Sequence, residues 1–330
     1  MRYSKLIILI ISMLTVLFLI ACGSTKDSSC AALYSYDEIH PPGWSWSYVH
    51  GLNDNGDMVG YGGVSSAIRS FLYSNSIFTE LIPPGWSSAS ALTINNSGEI
   101  VGYGTVSGSD KGFLYINGSY TELLPSGWTW AWAIRINETG DVVGGGSDGS
   151  TNKGFLYSNS SYTALLPPGW SWGTAYGINS SGVIVGWGAD GNGIEKGYIY
   201  NSGTYTQLLP PGWISATAYH INDVGQVIGE GVDSAGIEQG YVYDNGTYKE
   251  ISPPGWTDVV PEFINNSGVI AGYGTDEGTV KGFVYNKGNF IILESPNQPN
   301  TSIIGINNDN KVVGTAYNPG RGFVSTICSI

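Results

Sequence analysis

Tryptophan is the residue type in this chain that points most directly to chemistry. A Pro-x-Gly-Trp segment recurs along the sequence and places indoles at Trp44, Trp86, Trp128, Trp170, Trp213 and Trp256. Further indoles follow at less regular positions, namely Trp46, Trp130, Trp132 and Trp172. Indole faces stack on sugar rings and aromatic groups, and the indole N–H can bond to a hydroxyl. All of these residues are therefore candidate ligand-binding residues.

The same indoles also have a structural interpretation. Each Gly-Trp falls at the junction between two copies of a repeat, where a large flat ring can wedge between neighbouring units and become buried. The sequence favours this role for the Gly-Trp series. It favours exposure for the four less regular residues, which are the better candidates for a binding surface.

A basic position in the repeat offers a second kind of recognition. It is occupied by Arg69, Lys111, Lys153, Lys196, Lys281 and Arg321, with Gln239 in the remaining copy. A cationic ring of this kind could recognise an acidic ligand. Acidic residues lie shortly before the basic position, at Asp110, Asp148, Asp190, Asp233 and Asp276. Local charge pairing is therefore the simpler expectation.

Other chemistry finds little support. Residues 54–57 and 190–192 are rich in oxygen ligands but lack the spacing of a calcium loop. The three histidines, His40, His50 and His220, have no metal-type spacing. No nucleophile motif or phosphate loop is present, so we expect no metal, no cofactor and no catalytic residue. A pair of carboxylates brought together by the fold stays open.

The elements that carry these side chains follow a repeat of about 42 residues. Its core reads Ile-Asn-x-x-Gly-x-x-x-Gly in most copies, and its Asn recurs at Asn53, Asn95, Asn137, Asn179, Asn222, Asn265 and Asn307. Each complete copy holds four short β-branched and aromatic runs divided by Gly, Asn and Ser, which is typical of consecutive hairpins. The sequence therefore predicts an all-β fold, a seven-bladed β-propeller of four-stranded blades.

A column of glycines three residues after the repeated Asn predicts the geometry of one turn. Asn310 takes the place of the glycine in the last copy. Gly and Asn are the residues that best tolerate a left-handed backbone, so this column is expected to have positive φ. The repeated Asn is expected to cap the turn through its side-chain oxygen.

The two ends of the chain complete each other. The last copy ends before its fourth strand, and residues 34–39 match the fourth strand of the other copies. We expect this N-terminal strand to complete the last blade and close a ring, since an open array would need capping repeats. Cys30 lies just before that strand, and Cys328 lies where the third strand of the last blade ends. This placement predicts a Cys30–Cys328 disulfide that locks the ring.

The N-terminal segment has the pattern of an export signal. Arg2 and Lys5 precede an apolar run, and a Leu-Ile-Ala-Cys sequence ending at Cys22 matches the bacterial lipoprotein pattern. We predict a signal peptide over residues 1–21, a lipidated Cys22 with a linker over 22–29, and a single propeller over 30–330. An uncleaved anchor helix is the alternative. The expected location is the bacterial cell envelope, outside the cytoplasmic membrane.

Charge limits the possible partners. The chain has 13 basic and 26 acidic residues and a net charge of −13. An acidic body disfavours nucleic acid and anionic membrane surfaces as partners. We expect a monomer that contacts the membrane through its lipid anchor.

The unit Ala-x-x-Ile-Asn-x-x-Gly-x-Val-x-Gly, followed by a Gly-Phe-Leu-Tyr strand, resembles the HAF family of extracellular repeats. The clearest copies are residues 91–102 with 112–115, and residues 133–144 with 154–157. The resemblance covers the chain from about residue 41 and implies an exported, propeller-like protein without an assigned activity. The His-Ala-Phe triplet of the family is replaced by Lys-Gly-Phe in these copies.

The sequence favours a non-catalytic binding or scaffolding module. Glycan or cell-wall binding through exposed indoles is the first hypothesis. A protein–protein interaction scaffold is the second, and a propeller-fold hydrolase or lyase is the third.

Reduction of the predicted Cys30–Cys328 bond is expected to lower the melting temperature of the body, residues 28–330, sharply. The bond would close a loop of about 300 residues and stabilise the fold by about 5 kcal/mol through restriction of the unfolded chain. Thermal denaturation with and without a reductant measures the effect, and a Cys30→Ser variant should not respond. Equal melting temperatures for the oxidised and reduced wild type would contradict the prediction.

Overall fold

The computed structural model describes residues 36–295, 298, 300–317 and 320–327. Cys22, Cys30, Cys328 and the predicted signal segment lie outside the described residues, so the lipid anchor and the disulfide stay predictions. Within the described residues, no helix is long and apolar enough to cross a membrane.

All regular elements of the described residues are strands, which form seven antiparallel sheets. The sheets are the blades of a seven-bladed β-propeller, as the sequence predicted. In each blade, one strand lines a central channel. It is the first strand after the Pro-x-Gly of the repeat, or after the equivalent position in the last blade. The last strand of the blade lies at the outer edge. We call the first strand of each blade its inner strand.

The strands follow the repeat closely. Blades one to three consist, in chain order, of β2 Trp46–Leu52, β3 Met58–Val64, β4 Ala67–Ser74, β5 Ile77–Leu81, β6 Ser90–Ile94, β7 Ile100–Val106, β8 Ser109–Ile116, β9 Ser119–Leu123, β10 Trp130–Ile136, β11 Val142–Ser147, β12 Asn152–Ser158 and β13 Ser161–Leu165. Blades four to six consist of β14 Trp170–Ile178, β15 Ile184–Asp190, β16 Glu195–Asn201, β17 Thr204–Leu208, β18 Ser215–Ala216, β19 His220–Ile221, β20 Val227–Val232, β21 Glu238–Asp244, β22 Thr247–Ile251, β23 Thr257–Ile264, β24 Ile270–Asp276, β25 Thr279–Asn286 and β26 Asn289–Leu293. The last blade consists of β27 Asn300–Ile306, β28 Lys311–Tyr317, β29 Arg321–Thr326 and β1 Asp37–Ile39. In blade five, β18 and β19 are two parts of one inner strand, because both pair with β20.

The N-terminal strand closes the ring, which confirms the expected topology. β1 pairs antiparallel with β29, with Glu38 opposite Phe323. Ile39 is buried with Val49 of the first blade and Val313 of the last. Because β1 packs against both blades, the closure joins the first and last repeats by main-chain pairing and by apolar contacts.

The core lies between the blades. Its repeated feature is an aromatic side chain of the third strand that packs over a glycine of the second strand. Each third strand buries one aromatic side chain, namely Phe71, Phe113, Phe155, Tyr198, Tyr241, Phe283 or Phe323. In blade three, a Cβ added to Gly144 would lie 1.9 Å from the carbonyl oxygen of Trp132 and 2.9 Å from the ring of Phe155. Only glycine allows the inner strand, the second strand and the ring to approach so closely.

The repeated Asn residues form a continuous ring of hydrogen bonds between the blades. In each blade the side-chain Nδ2 donates to the main-chain carbonyl of the repeated Asn in the next blade, at 3.0 to 3.2 Å. The last link runs from Asn307 to Asn53 and joins blade seven to blade one. These side chains are all buried. The ring therefore ties the inner strands together at one end of the channel.

The same Asn residues cap their own turns, as predicted. Each side-chain Oδ1 accepts the main-chain N–H of the residue four positions later, at 2.8 to 3.0 Å. The glycine column has positive φ in every copy, and Asn310 has a φ of 59°. One side chain thus fixes the turn with its oxygen and the neighbouring blade with its nitrogen.

An Asn137→Ala variant is expected to lower the free energy of unfolding by about 3 kcal/mol. It removes the bond to the carbonyl of Asn179, which then keeps only the N–H of Gly182, and it leaves the N–H of Asp141 without its acceptor. Urea denaturation measures this change. Asn137→Asp keeps the oxygen acceptor but loses the donor to blade four, so it should also be destabilised. Asn289→Ala, at an exposed position of β26, is the matched control. Equal stability of Asn137→Ala and the control would contradict a structural role for the ring.

Candidate functional site

A β-bulge at the same place in the inner strands aims one residue of each strand into the channel. In six blades, the inner strand has one residue that the pairing with the second strand skips. In blade three, for example, Ala133 and Arg135 are paired and Ile134 between them is not. In blade five the inner strand is interrupted at the corresponding place, between β18 and β19. Bulges re-aim side chains. The skipped residues that line the channel are His50, Leu92, Ile134, Tyr176, Glu262 and Ile304.

Two cavities share the channel. The upper cavity, of about 260 Å³, contains the bulge residues together with Tyr61, Tyr103 and Trp132. The lower cavity, of about 330 Å³, opens at the Asn ring. Both are lined by Thr93, Arg135 and Phe263, so these three side chains lie between the two cavities and form the floor of the upper one.

The walls of the upper cavity are aromatic. Trp132 stacks on Tyr103, with ring centroids 4.9 Å apart, and His50 stacks on Tyr61 at 5.1 Å. The indole N–H of Trp132 donates to Asp110 at 3.2 Å. Trp132 is 38% exposed, which leaves part of its face open to a ligand. Such walls suit a flat ring or the apolar face of a sugar.

Arg135 places a positive charge in the floor. Its side chain is 6% exposed, its Cζ lies 4.3 Å over the ring of Phe263, and its Nε donates to the carbonyl oxygen of Tyr176 at 3.4 Å. Burial lowers its pKa to about 10, with Tyr176 and Glu262 acting in the opposite direction. At neutral pH the guanidinium is therefore charged. Within the described part of the chain, its terminal N–H groups have no hydrogen-bond acceptor and no carboxylate within 4.0 Å.

Glu262 places a carboxyl group in the same cavity. Burial raises its pKa to about 7, while the charge of Arg135 acts to lower it. The described residues provide no hydrogen bond to this carboxyl. His50 adds no charge at neutral pH, because burial and then Arg135 lower its pKa to about 4. The upper cavity thus holds one permanent cation and one carboxyl that titrates near neutral pH.

The lower cavity is polar, and hydrogen bonds between blades surround its rim. The residues that follow the ring Asn in most blades donate main-chain N–H groups to side chains of the next blade, at 2.8 to 3.0 Å. The carboxylate of Asp54 accepts one of these bonds, from the N–H of Asn308. Asp190 caps its own loop by accepting the main-chain N–H groups of Asn192 and Ile194. The segments that looked like oxygen-rich loops are therefore used as turns and rim contacts. Within the described residues, no group of three or more metal-type ligands occurs.

The Gly-Trp indoles pack against the buried aromatic ring of their own blade. Ring centroids are 5.8 to 6.3 Å apart and the rings are nearly perpendicular in every pair, involving Trp44, Trp86, Trp128, Trp170, Trp213 and Trp256. Trp170 and Trp256 are buried, and the others are half-buried. Trp86 contacts a cluster that contains residues of blades one and two. These contacts match the structural interpretation of the series.

The four less regular indoles separate into two positions. Trp46, Trp130 and Trp172 are equivalent in the repeat, are half-buried, and contact Tyr48, Trp132 and Trp187 respectively. Trp132 lies two residues further along its strand and lines the upper cavity. The structure therefore brings one of the candidate indoles to the cavity and leaves Trp172 outside its lining.

The basic column is paired with carboxylates. Lys153, Lys196 and Lys281 contact the aspartate of the preceding loop at 2.6 to 3.0 Å. The other three basic residues contact a glutamate of the outer strand, in the pairs Arg69–Glu80, Lys111–Glu122 and Arg321–Glu38. Charge pairing was the simpler expectation, and these contacts agree with it.

Comparison with solved structures identifies the fold. No family model matches the chain, and no curated protein matches it. A streptogramin B lyase structure has a TM-score of 0.58 and 16% identity, covering 89% of this chain and 98% of its own. The β-propeller domain of the Trilobed protease from Pyrococcus furiosus has a TM-score of 0.60 and 12% identity, covering 86% and 98%.

A puromycin-hydrolyzing peptidase of Mycobacterium tuberculosis also has a TM-score of 0.60, with 11% identity, covering 85% of this chain and 52% of its own. At such low identities these neighbours show a common propeller architecture alone. The chain is a β-propeller protein, and the resemblance to the HAF repeats stays a prediction.

The residues that distinguish the site were not among the sequence-based candidates, except for Trp132. Arg135, Glu262 and Tyr176 occupy the two positions before the repeated Ile-Asn, which vary from copy to copy. Variation at these positions, beside repeated neighbours, was the available signal. Residues that differ between blades do not serve the common fold, so they are the better candidates for function.

A Glu262→Gln variant is expected to gain stability relative to the wild type as the pH rises from about 4.5 to about 7. Burial raises the pKa of Glu262, so the folded wild type retains a proton in this range that the unfolded chain loses, and the wild type becomes less stable as the pH rises. Glutamine does not titrate and avoids this loss.

Urea denaturation of both proteins across this pH range measures the difference. Histidines with lowered pKa values act in the opposite direction, so the prediction concerns the difference between variant and wild type. Glu250→Gln, at an exposed position of β22, is the control and should keep a constant difference from the wild type. The same constant difference for Glu262→Gln would show that Glu262 is not in a desolvated site.

Proposed function

We propose that this chain is a non-catalytic binding module that takes a single sugar unit of a glycan into the upper cavity. The observation that carries the proposal is the cavity itself. It combines open aromatic surface at Trp132 with two side chains, Arg135 and Glu262, that have unused hydrogen-bonding capacity. Aromatic walls with a few convergent polar groups are characteristic of small-ligand sites.

The size of the cavity limits what it can hold. A volume of about 260 Å³ lies just below the usual range of about 300–1,000 Å³ for ligand pockets, which suits one sugar ring better than an oligosaccharide. A longer glycan would place its terminal unit in the cavity and the rest across the face that carries Trp46 and Trp130.

The proposed location is the outer side of the cytoplasmic membrane, with the body tethered by a lipid on Cys22. The Leu-Ile-Ala-Cys sequence and the acidic composition support this proposal. A tethered module would hold its cavity close to cell-wall or environmental glycans, because the linker over 22–29 spans at most about 29 Å.

A second candidate is hydrolase or lyase chemistry in the same cavity. The pKa of Glu262 favours it, because a general acid or base works best near the operating pH. Chromatography of the sugar after incubation with the protein distinguishes the two functions, since a binding module returns its ligand unchanged.

A Trp132→Ala variant is expected to weaken sugar binding by about tenfold, through loss of the stacking surface. Titration of residues 28–330 with monosaccharides and short glycans, followed by intrinsic fluorescence, measures the affinity. Trp172→Ala is the matched control, because it removes an indole of an inner strand that packs on Trp187 outside the cavity lining.

Weakened binding in the Trp172→Ala variant with unchanged binding in Trp132→Ala would move the site away from the upper cavity. Absence of any response across the panel would favour a protein partner and the scaffold hypothesis.

A further inference from the structure

Arg135 is the feature of the upper cavity that its fold does not explain. The residue is 6% exposed, and neighbouring blades repeat neither it nor its charge. An unpaired charge taken out of water is unfavourable, so buried arginines normally hold a carboxylate or phosphate. Here the described residues satisfy only the Nε, through the carbonyl of Tyr176, and support the guanidinium plane with the ring of Phe263.

The side chain of Arg135 lies at the boundary of the two cavities. Arg135 lines both of them, and its terminal nitrogens lack acceptors among the described residues. A guanidinium fork presents two parallel N–H groups that match the two oxygens of a carboxylate. The floor of the upper cavity is therefore shaped and charged for a carboxylate.

Glu262 provides the complementary group on a neighbouring wall. Its carboxyl lines the upper cavity and makes no hydrogen bond within the described part of the chain. It does not pair with Arg135, since no ion pair within 4.0 Å joins the two. The cavity is therefore lined by two opposite charges that do not neutralise each other by direct contact.

We propose that the upper cavity recognises an amphoteric small molecule, whose carboxylate binds Arg135 and whose ammonium group binds Glu262. This inference rests on the proposed function, because it assigns charge to the sugar unit that the aromatic walls hold. The ligand class is an amino sugar that also carries an acid group.

The electrostatics of the rest of the cavity agree with this assignment. His50 and His220 are neutral near pH 7, so neither competes with the ammonium group for Glu262 or with Arg135 for the carboxylate. The aromatic rings of Tyr103 and Trp132 also favour a cation beside them.

Four hexose-based probes separate the two charges. Glucose carries neither group, glucosamine carries the amine, glucuronic acid carries the carboxylate, and muramic acid carries both. Calorimetric titration of residues 28–330 at about pH 7 should give the highest affinity for muramic acid, at least about tenfold above either singly charged sugar. Glucose should bind most weakly.

Two variants assign each preference to its residue. Arg135→Met removes the charge but keeps an apolar stem, and it should abolish the preference of glucuronic acid over glucose while glucosamine still binds more tightly than glucose. Glu262→Gln should abolish the preference of glucosamine over glucose while glucuronic acid still binds more tightly than glucose. Glu250→Gln and Arg69→Met change charges outside the cavity and should leave all four affinities as in the wild type.

Folding of the variants is checked by thermal denaturation. Arg135→Met should fold, because the replacement removes a buried unpaired charge. If it does not, Arg135→Lys keeps the charge but loses the fork, and it should still reduce the carboxylate preference about tenfold.

Equal affinities for the four sugars would overturn the inference and leave the proposed function standing. Charge preferences that persist in both Arg135→Met and Glu262→Gln would also overturn it. Absence of binding by all four sugars would overturn the proposed function, and the inference with it.

Discussion

The ring of repeated Asn side chains is the interaction on which the rest of the propeller depends. Each side chain caps its own turn through oxygen and reaches the next blade through nitrogen. Because the last side chain reaches the first blade, every inner strand has a fixed neighbour on both sides. Each Asn carbonyl also accepts the N–H of the residue three positions later in its own turn, so a lost side-chain donor breaks the bond between two blades and leaves the turn bond in place. The ring thereby sets the spacing of the blades around the channel.

The bulges can project side chains into the channel because each inner strand is anchored on both sides of its bulge. The Asn ring anchors one end of each inner strand, and the pairing with the second strand anchors the other. An extra residue between these anchors has no place in the ladder and must project from it. Its side chain then faces the channel, outside the apolar core that packs one blade against the next. Glu262 and Tyr176 can therefore differ from Ile134 and Leu92 without changing the architecture.

The parts of the fold that recur were predictable, because repetition reveals a constraint that each blade must meet. The turn column with Asn310 and the N-terminal strand of the last blade are examples. The link through the Asn nitrogen was missed, since capping of the turn already explained the residue. Arg135 and Glu262 were missed for a different reason. Each occurs once, in a different blade, and only the closed ring brings them to one cavity.

The indoles show why residue type alone does not identify the site. Trp130 and Trp172 occupy the same repeat position and pack against a neighbouring indole. Trp132 lies two residues after Trp130, and along a strand this step keeps the side chain on the same face but moves it deeper along the channel. Trp132 is distinguished from the other two indoles by its position along the channel and not by its side-chain type. Position along the inner strand is set by the register of the blade, which a sequence pattern leaves undefined.

The buried charge of Arg135, in the floor of the upper cavity, lowers the stability of the fold, and the architecture does not require it. A buried guanidinium beside Phe263 gains some attraction from the ring, but much less than a carboxylate would provide. The blades that have Gly51, Gly177 or Gly305 at the position of Arg135 build the same architecture without that charge. A destabilising group that the repeat does not need is understandable where a ligand compensates it. In a protein whose blades are otherwise so alike, Arg135 and Glu262 are the side chains that set this channel apart from the repeated architecture, and the proposed site rests on them.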